Sequence, residues 1–417
     1  MVWLYEAGAE TQYQKGLRRP FYMNRLIIIH VDGLSYEYIN NQAMPFLAGL
    51  RQNKGVYRLA PSIFFQANMP AYTGQEASQH GRIVEYIYDP GHSPLSGFKR
   101  WACILDRVDR LLPESLSSLF RYGLGWGYSH LRETPPIKLH FIPFHLSPYF
   151  KFSFNESYLG EDIFTRVRKA GLRTAWDDED FSSNVKRRWL GTYFYKFYPE
   201  IMVNWARAKI KEGIDFIWVD LGSEPDKYGH CFGPDINKFS GILKKIDRQI
   251  EKLITLARQN NYRFIVFSDH GMEEVKGCLN ISEILKKNGL RIEKDYIPFY
   301  DSTLARFWIK EKEAGMKIKS LLQGLGKGIC IDENNGRALG IPLDNSIGEV
   351  LFAVEQGWLI LPNFYQGKKT VKGMHGYLEQ KSGPLDGVLA SDLVSLKSER
   401  YKVKDIFSLA RKSLDIE

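Results

Sequence analysis

Three short apolar runs, each ending in a loop that carries aspartate or histidine, constrain this chain more than any other feature. Residues 26–31 end at Asp32-Gly33. Residues 216–219 run into Asp220 and then Glu224-Pro225-Asp226-Lys227-Tyr228-Gly229-His230. Residues 264–267 end at Ser268-Asp269-His270-Gly271. Continuous β-branched and aromatic runs of this length read as strands buried on both faces, as in a parallel sheet covered by helices. Between the second and third runs, Phe239, Ile242, Leu243, Ile246, Ile250, Leu253, Ile254 and Ala257 recur at spacings of three and four. Lys244, Lys245, Asp247, Arg248, Glu251 and Lys252 occupy the opposite face. This is an amphipathic crossover helix, and the strands it joins are predicted to be parallel. The expected fold class is α/β: a doubly wound, mainly parallel sheet flanked by helices.

In such sheets ligands gather beyond the carboxyl ends of the strands. A single Asp-Gly or Asp-His-Gly is as a rule a plain turn. Three strand-end loops in succession, all with acids or histidines, point instead to a metal or catalytic site. The candidates are Asp32, Asp226, His230, Asp269 and His270, joined late in the chain by His375 in Gly373-Met374-His375-Gly376-Tyr377. Aspartate and neutral histidine suit Zn²⁺ and also Mn²⁺. Three carboxylates and three imidazoles are enough for two divalent ions. Two ions about 4 Å apart clamp the attacking and leaving oxygens of an in-line phosphoryl displacement. Asp226 and His230 have helix-compatible spacing; Pro225 and Gly229 favour a loop. Asp269 and His270 are adjacent, so a turn must present both.

These motifs resemble the alkaline phosphatase superfamily, and within it the type I phosphodiesterase/nucleotide pyrophosphatase family. The resemblance rests on Val31-Asp32-Gly33, Glu224-Pro225-Asp226 with Gly229-His230 and Gly233-Pro234, Ser268-Asp269-His270-Gly271-Met272, and His375-Gly376-Tyr377. Met44-Pro45-Phe46-Leu47, Thr73-Gly74 and His80-Gly81 add to it. It implies an alkaline phosphatase-like core and two divalent ions, Zn²⁺ or Mn²⁺. Asp32, Asp269 and His270 would hold one ion; Asp226, His230 and His375 would hold the other. It further implies hydrolysis of a phosphodiester or pyrophosphate bond in a nucleotide or nucleotide-sugar-like phosphate ester, through a Thr or Ser hydroxyl that attacks phosphorus. A phosphotransferase or mutase of the same superfamily is the alternative reaction.

One position departs from the pattern. Counting back from Thr73-Gly74 places Phe64 where the family has its nucleophile, and phenylalanine has no nucleophilic atom. Three explanations stand. Ser62 attacks after a local shift of the loop; metal-bound hydroxide acts directly; or the chain is an inactive binding or regulatory homologue. Ser62 taken alone also reads as a helix cap. Asn68 reads equally as a donor to a phosphoryl oxygen and as a cap of the helix that follows. His30, inside an apolar strand, reads as a core histidine, and His80 as a packing residue. His92, His130, His140 and His145 fall in an insert. Arg306 in Ala305-Arg306-Phe307-Trp308 reads as a surface arginine on a strand.

At 417 residues the chain exceeds one ordinary domain. Residues 22–95 and 211–417 are expected to form the metallohydrolase core, with 96–210, rich in Pro, Tyr, Phe and Trp, as an inserted cap. Residues 290–365 read as a smaller α/β piece within the core. The net charge of +9 favours anionic partners such as phosphorylated small molecules. With Lys186-Arg187-Arg188 as the densest basic cluster, nucleic acid is not expected. No apolar stretch approaches the roughly 18 residues of a spanning helix. The first 25 residues carry Glu6, Glu10, Lys15, Arg18 and Arg19 without a long apolar run, unlike an ordinary cleaved signal. Cys103, Cys231, Cys278 and Cys330 lie far apart and read as free thiols. Both observations set the expected location as the cytoplasm. Composition does not reach the oligomeric state.

Overall fold

The computed structural model describes residues 25–66, 68–131, 139–152, 161–177, 199–378, 382–393 and 398–416. The Lys186-Arg187-Arg188 cluster and the charged residues before position 25 lie outside them. Among the described residues, the central sheet has seven strands: β1 (Arg25–His30), β2 (Val56–Ala60), β3 (Thr174–Trp176), β4 (Phe216–Asp220), β5 (Tyr262–Phe267), β6 (Gly387–Ser391) and β7 (Arg400–Lys402). Their spatial order is β7-β2-β6-β5-β1-β4-β3. β6 runs antiparallel to both neighbours; every other pairing is parallel. This is the mainly parallel α/β sheet that the apolar runs predict.

β1 is buried along its length because both sides of the sheet are covered. Ile27 and Ile29 join the cluster that contains Leu243, Ile246, Ile250, Leu253 and Ile254 of the crossover helix Ser240–Gln259. Leu26 and Ile28 point the other way, against Ile406, Phe407 and Ala410 of the C-terminal helix Asp405–Leu414. Strand alternation sends successive side chains to opposite faces, so an unbroken apolar run requires two helical layers.

Register positions the site. His30 pairs with Asp220 on one side and with Phe267 on the other. The three strands therefore end level, and the loops that begin at Val31, Leu221 and Ser268 leave the sheet at one edge.

The span 96–210 is not one insert. β3 and the helices Ile163–Lys169 and Pro199–Lys211 belong to the central layers: Phe164 and Val167 pack on one face, Met202, Val203 and Ala206 on the other. The part that stands apart is a helical hairpin, Ala102–Leu111 and Glu114–Leu131, followed by the segment 139–152. Within 290–365 lies a four-stranded antiparallel sheet in the order Tyr296–Tyr300, Leu304–Ile309, Val350–Val354, Gly328–Ile331. Arg306 is not on the surface. It is fully buried there, its Nε donating to Asp301 at 2.8 Å and a terminal nitrogen to the Tyr86 carbonyl at 2.7 Å. A strand covered on both sides leaves an arginine no route to solvent, so it takes a buried carboxylate as partner.

Candidate functional site

Asp32 follows β1 through a turn that only glycine can complete. Gly33 has φ +71°, and a Cβ there would lie 2.5 Å from the Cα of Asp226. The Asp-Gly pair thus lets two ligand-bearing segments touch. Asp226 and His230 sit on the helix Glu224–Phe232, not on the loop that Pro225 suggested. Proline is tolerated in the first helical turn, where its missing N–H has no partner to lose. The helix places Asp226 and His230 on one face, with His230 Nε2 3.3 Å from Asp226 Oδ1. Asp269 and His270 are presented by a turn that Ser268 pins: its hydroxyl donates to the His270 carbonyl and accepts from the Leu34 N–H, both at 2.8 Å.

The six groups converge. His270 Nε2 lies 3.2 Å from Asp32 Oδ1 and 3.7 Å from Asp269 Oδ2. His375 Nε2 lies 3.5 Å from Asp226 Oδ1, and its ring stacks on that of His270 with centroids 3.6 Å apart. Ligand atoms of Asp32, Asp269 and His270 lie within 4.8 Å of one another, as do those of Asp226, His270 and His375. His230 falls outside the second triple but touches it through Asp226. The Nδ1 atoms of His230 and His270 each meet a backbone carbonyl at 2.8 Å, those of Gly373 and Gly271. Such bonds fix the ring and leave Nε2 as the free donor atom, the usual arrangement of a metal-binding imidazole.

The chemistry of the donor set fits divalent cations. Asp226 Oδ1 is buried with two imidazole nitrogens beside it, yet makes no hydrogen bond. Burial pushes Asp32 up to about 6, and the carboxylates of Asp226 and Asp269 add to that rise. Burial also opposes ionisation of Asp226 and Asp269, but His230 and His270 hold them well below the usual carboxylate range. For His270, burial is outweighed by Asp269 and Asp32, which bring it up to about 10. Burial and the neighbouring His270 hold His375 well below its ordinary value. Like charges crowded out of water in this way are what a bound cation relieves.

A cavity of about 510 Å³ opens over these groups. Its other wall includes Ser62, Phe64, Phe65, Gln66 and Asn68, with Glu85, His140 and Tyr365 beside it. Phe64 is buried, with φ +52°. Asn68 holds the N-cap position of the helix Met69–Thr73 but makes no side-chain cap bond. Its amide nitrogen instead lies 3.4 Å from His30 Nδ1, and its Oδ1 is buried without a hydrogen-bond partner. With Asn68 at that position, Ser62 is not the cap either. Gly376, at φ +75°, brings the His375 loop against this wall: a Cβ there would meet the Phe65 ring at 2.9 Å.

His30 is the residue that sequence reasoning missed. It is buried, but it lines the cavity, 3.4 Å from Asp269 Oδ1 and 3.5 Å from Asp220 Oδ2. The signal was its position two residues before Asp32 at a strand end, level with Asp220. His80 is the packing residue expected: Nε2 faces Gln66 Oε1 at 3.2 Å, and Nδ1 accepts from the Arg82 N–H.

Residues 26–378 match the family described as type I phosphodiesterase / nucleotide pyrophosphatase. The chain belongs to that family. Human ectonucleotide pyrophosphatase/phosphodiesterase family member 7 is 22% identical over 285 residues, covering 64% of this chain and 51% of its own length. Human family member 5 is 19% identical over 370 residues, covering 85% and 66%. The chain thus spans about half the length of the first of these relatives. Among solved structures, human ectonucleotide pyrophosphatase/phosphodiesterase 5 superposes with a TM-score of 0.62 at 14% identity, covering 94% of this chain and 95% of that one. An inactive variant of the murine protein in complex with AMP gives 0.61 at 15% identity, covering 94% and 96%. These neighbours share the alkaline phosphatase-like fold, with its mainly parallel sheet between helices.

Proposed function

We propose that this chain is a metal-dependent phosphohydrolase that cleaves a phosphodiester or pyrophosphate bond in a nucleotide or nucleotide-sugar-like substrate. The observation that carries the reading is Asp226 Oδ1, buried between His230 Nε2 and His375 Nε2 without a hydrogen bond. Asp32, Asp269 and His270 would hold one divalent ion, and Asp226, His230 and His375 the other, with Zn²⁺ as the resident metal and Mn²⁺ as the alternative. When bound, such ions supply the positive charge that offsets charge developing on the phosphoryl oxygens.

The chain's own residues do the rest. The Ser62 hydroxyl gives up its proton to solvent as its oxygen attacks phosphorus. The phosphorus–oxygen bond to the leaving group breaks, and that group departs with its oxygen and takes up a proton. Water then cleaves the Ser62 phosphoryl ester, returning a proton to the serine oxygen. Asn68 donates from its amide to a phosphoryl oxygen. Phe65, His140 and Tyr365 offer ring faces to a nucleobase; the rings of Phe65 and Tyr365 have centroids 6.1 Å apart. The cysteines of the described residues are free thiols, which supports a reducing compartment, the cytoplasm. No described helix is long and apolar enough to cross a membrane.

The test is metal content and turnover of bis-p-nitrophenyl phosphate, before and after chelation. Two ions per chain are expected, with activity lost on chelation and restored by Zn²⁺ or Mn²⁺. Phe64 favours a second reading, a homologue that binds its ligand without cleaving it. Two bound ions with no turnover on a broad panel of phosphate esters would establish that reading; no bound ion would end both.

A further inference from the structure

The hairpin Ala102–Leu111 and Glu114–Leu131 has two unlike faces. Its inner face is ordinary core: Ala102, Leu105, Phe120, Leu124 and Tyr128 pack with Leu95, Leu139 and Phe144. Polar anchors fix that face to the body. Asp106 accepts from the backbone N–H groups of Phe144 and His145 and meets the His145 ring at 2.6 Å. Arg121 forks onto Asp109 and also donates to the Ile142 carbonyl at 2.6 Å.

The outer face is apolar as well. Trp101, Ile104 and Leu111 are 61, 54 and 84% exposed, and Leu116 and Leu119 are 50 and 65% exposed. Of eleven large hydrophobic side chains exposed among the described residues, eight fall between Trp101 and Trp126. On the first helix, positions 101, 104, 108 and 111 form one stripe; on the second, 116, 119, 122 and 126 do the same. At 1.5 Å per residue each stripe runs about 15 Å. Patches of this extent on a globular surface mark interaction sites.

Charge selects the occupant. The exposed charges along the hairpin are Lys99, Arg100, Arg107 and Arg110 against Glu114 alone, because Asp106 and Asp109 are engaged by His145 and Arg121. A second copy docked face to face would bring like charges together, since a two-fold contact presents the same patch on both sides. A surface of anionic lipid offers apolar chains beneath a layer of phosphates. Trp, Tyr and Leu on one face with Arg and Lys at its borders is the composition of helices that lie in that layer.

We propose that the hairpin docks the protein on an anionic lipid bilayer, lying in the headgroup region with its outer face toward the acyl chains and Lys99, Arg100, Arg107 and Arg110 against lipid phosphates.

The test is co-sedimentation of the full chain with vesicles of equal parts phosphatidylcholine and phosphatidylglycerol, and with phosphatidylcholine alone, at about 0.1 M salt. Binding is expected to the mixed vesicles and to weaken as salt rises. Ile104→Ser with Leu119→Ser is expected to lower the partition coefficient at least about tenfold. Arg100→Glu with Arg107→Glu is expected to lower it similarly and to flatten its salt dependence. Both variants alter exposed side chains, so their melting temperatures stay near that of the parent and show that folding is intact. Failure of the parent chain to bind anionic vesicles overturns the proposal, as does equal binding by folded variants. A lipid-free dimer that Leu119→Ser dissociates would also overturn it, assigning the face to a second copy.

Discussion

The strand-end groups and the segment from Ser62 to Asn68 face each other across one cavity, and they are held by different means. Asp32, Asp226, Asp269 and His270 leave elements whose positions are set by the register of β1, β4 and β5, and backbone carbonyls orient His230 and His270. The opposite wall is a connection between β2 and the helix Met69–Thr73. Phe64 there adopts φ +52°, a conformation that costs a bulky residue about 1–2 kcal/mol. Burial of its ring with Ile83, Leu304 and Leu351 offsets that cost, at about 1.5–3 kcal/mol for a large apolar side chain. The ligand wall is thus fixed by the fold, whereas the facing wall is fixed by local packing. The chemistry of the second can change while the first stays intact.

The largest effect is expected on the ligand wall, at Asp269. Asp269→Ala removes a ligand from one triple and a partner of both His30 and His270. Turnover of bis-p-nitrophenyl phosphate is expected to fall at least about a thousandfold, with metal content reduced by one ion per chain. Undiminished turnover with full metal content would show that the ligand wall is not the reactive one. Across the cavity, Ser62→Ala should cost about a hundredfold in kcat and leave metal content unchanged. Activity retained in that variant would make water the attacking group.

These two walls also differ in how far sequence exposes them. A ligand wall built from strand ends is legible because buried strands advertise themselves as apolar runs, and the residue after each run must lie at the sheet edge. Asp32, Asp269 and His270 follow from that alone. The Asp226–His230 helix was harder, because Pro225 signals a break in a helix interior but not in a first turn. His30 escaped because a histidine inside an apolar run looks like packing until the neighbouring strands are known. The far wall is barely legible: that Ser62, Phe64 and Asn68 all line the cavity depends on backbone angles such as that of Phe64. The hairpin escaped for a different reason. Its outer stripes have the periodicity of a buried face, and periodicity reports which residues share a side, not what covers it.

His80 loads the far wall alone. Burial and the charge of Arg82 push its imidazole down to about 4. Its Nδ1 accepts a hydrogen bond, so the neutral ring is the one that fits. Because the folded value lies below the unfolded one, the unfolded chain binds more protons between them. This stability is fully present above about pH 6.5 and is lost as pH falls toward 4, amounting to about 2 kcal/mol by pH 5. Denaturant melts of the parent and His80→Asn at pH 7 and pH 5 measure it: the variant should show the smaller difference. Equal pH dependence would mean that His80 charges without penalty.

The smallest effect belongs to Asn68, which touches both walls through His30. Two roles were open for it, and they separate by what they change. A helix cap lost on Asn68→Ala would destabilise the protein by about 1 kcal/mol and leave chemistry to first order untouched. The side chain makes no cap bond, so no such loss is expected. Its amide nitrogen instead meets His30 Nδ1 at the cavity wall, where a donor to a phosphoryl oxygen is worth about tenfold in kcat/KM. Asn68→Ala should therefore lower kcat/KM about tenfold at unchanged melting temperature. Asn68→Asp, of nearly equal shape, should lower it further, because a carboxylate there repels the anionic substrate. If both variants melt early and turn over normally, the residue serves the helix, and the far wall contributes packing without a phosphate donor.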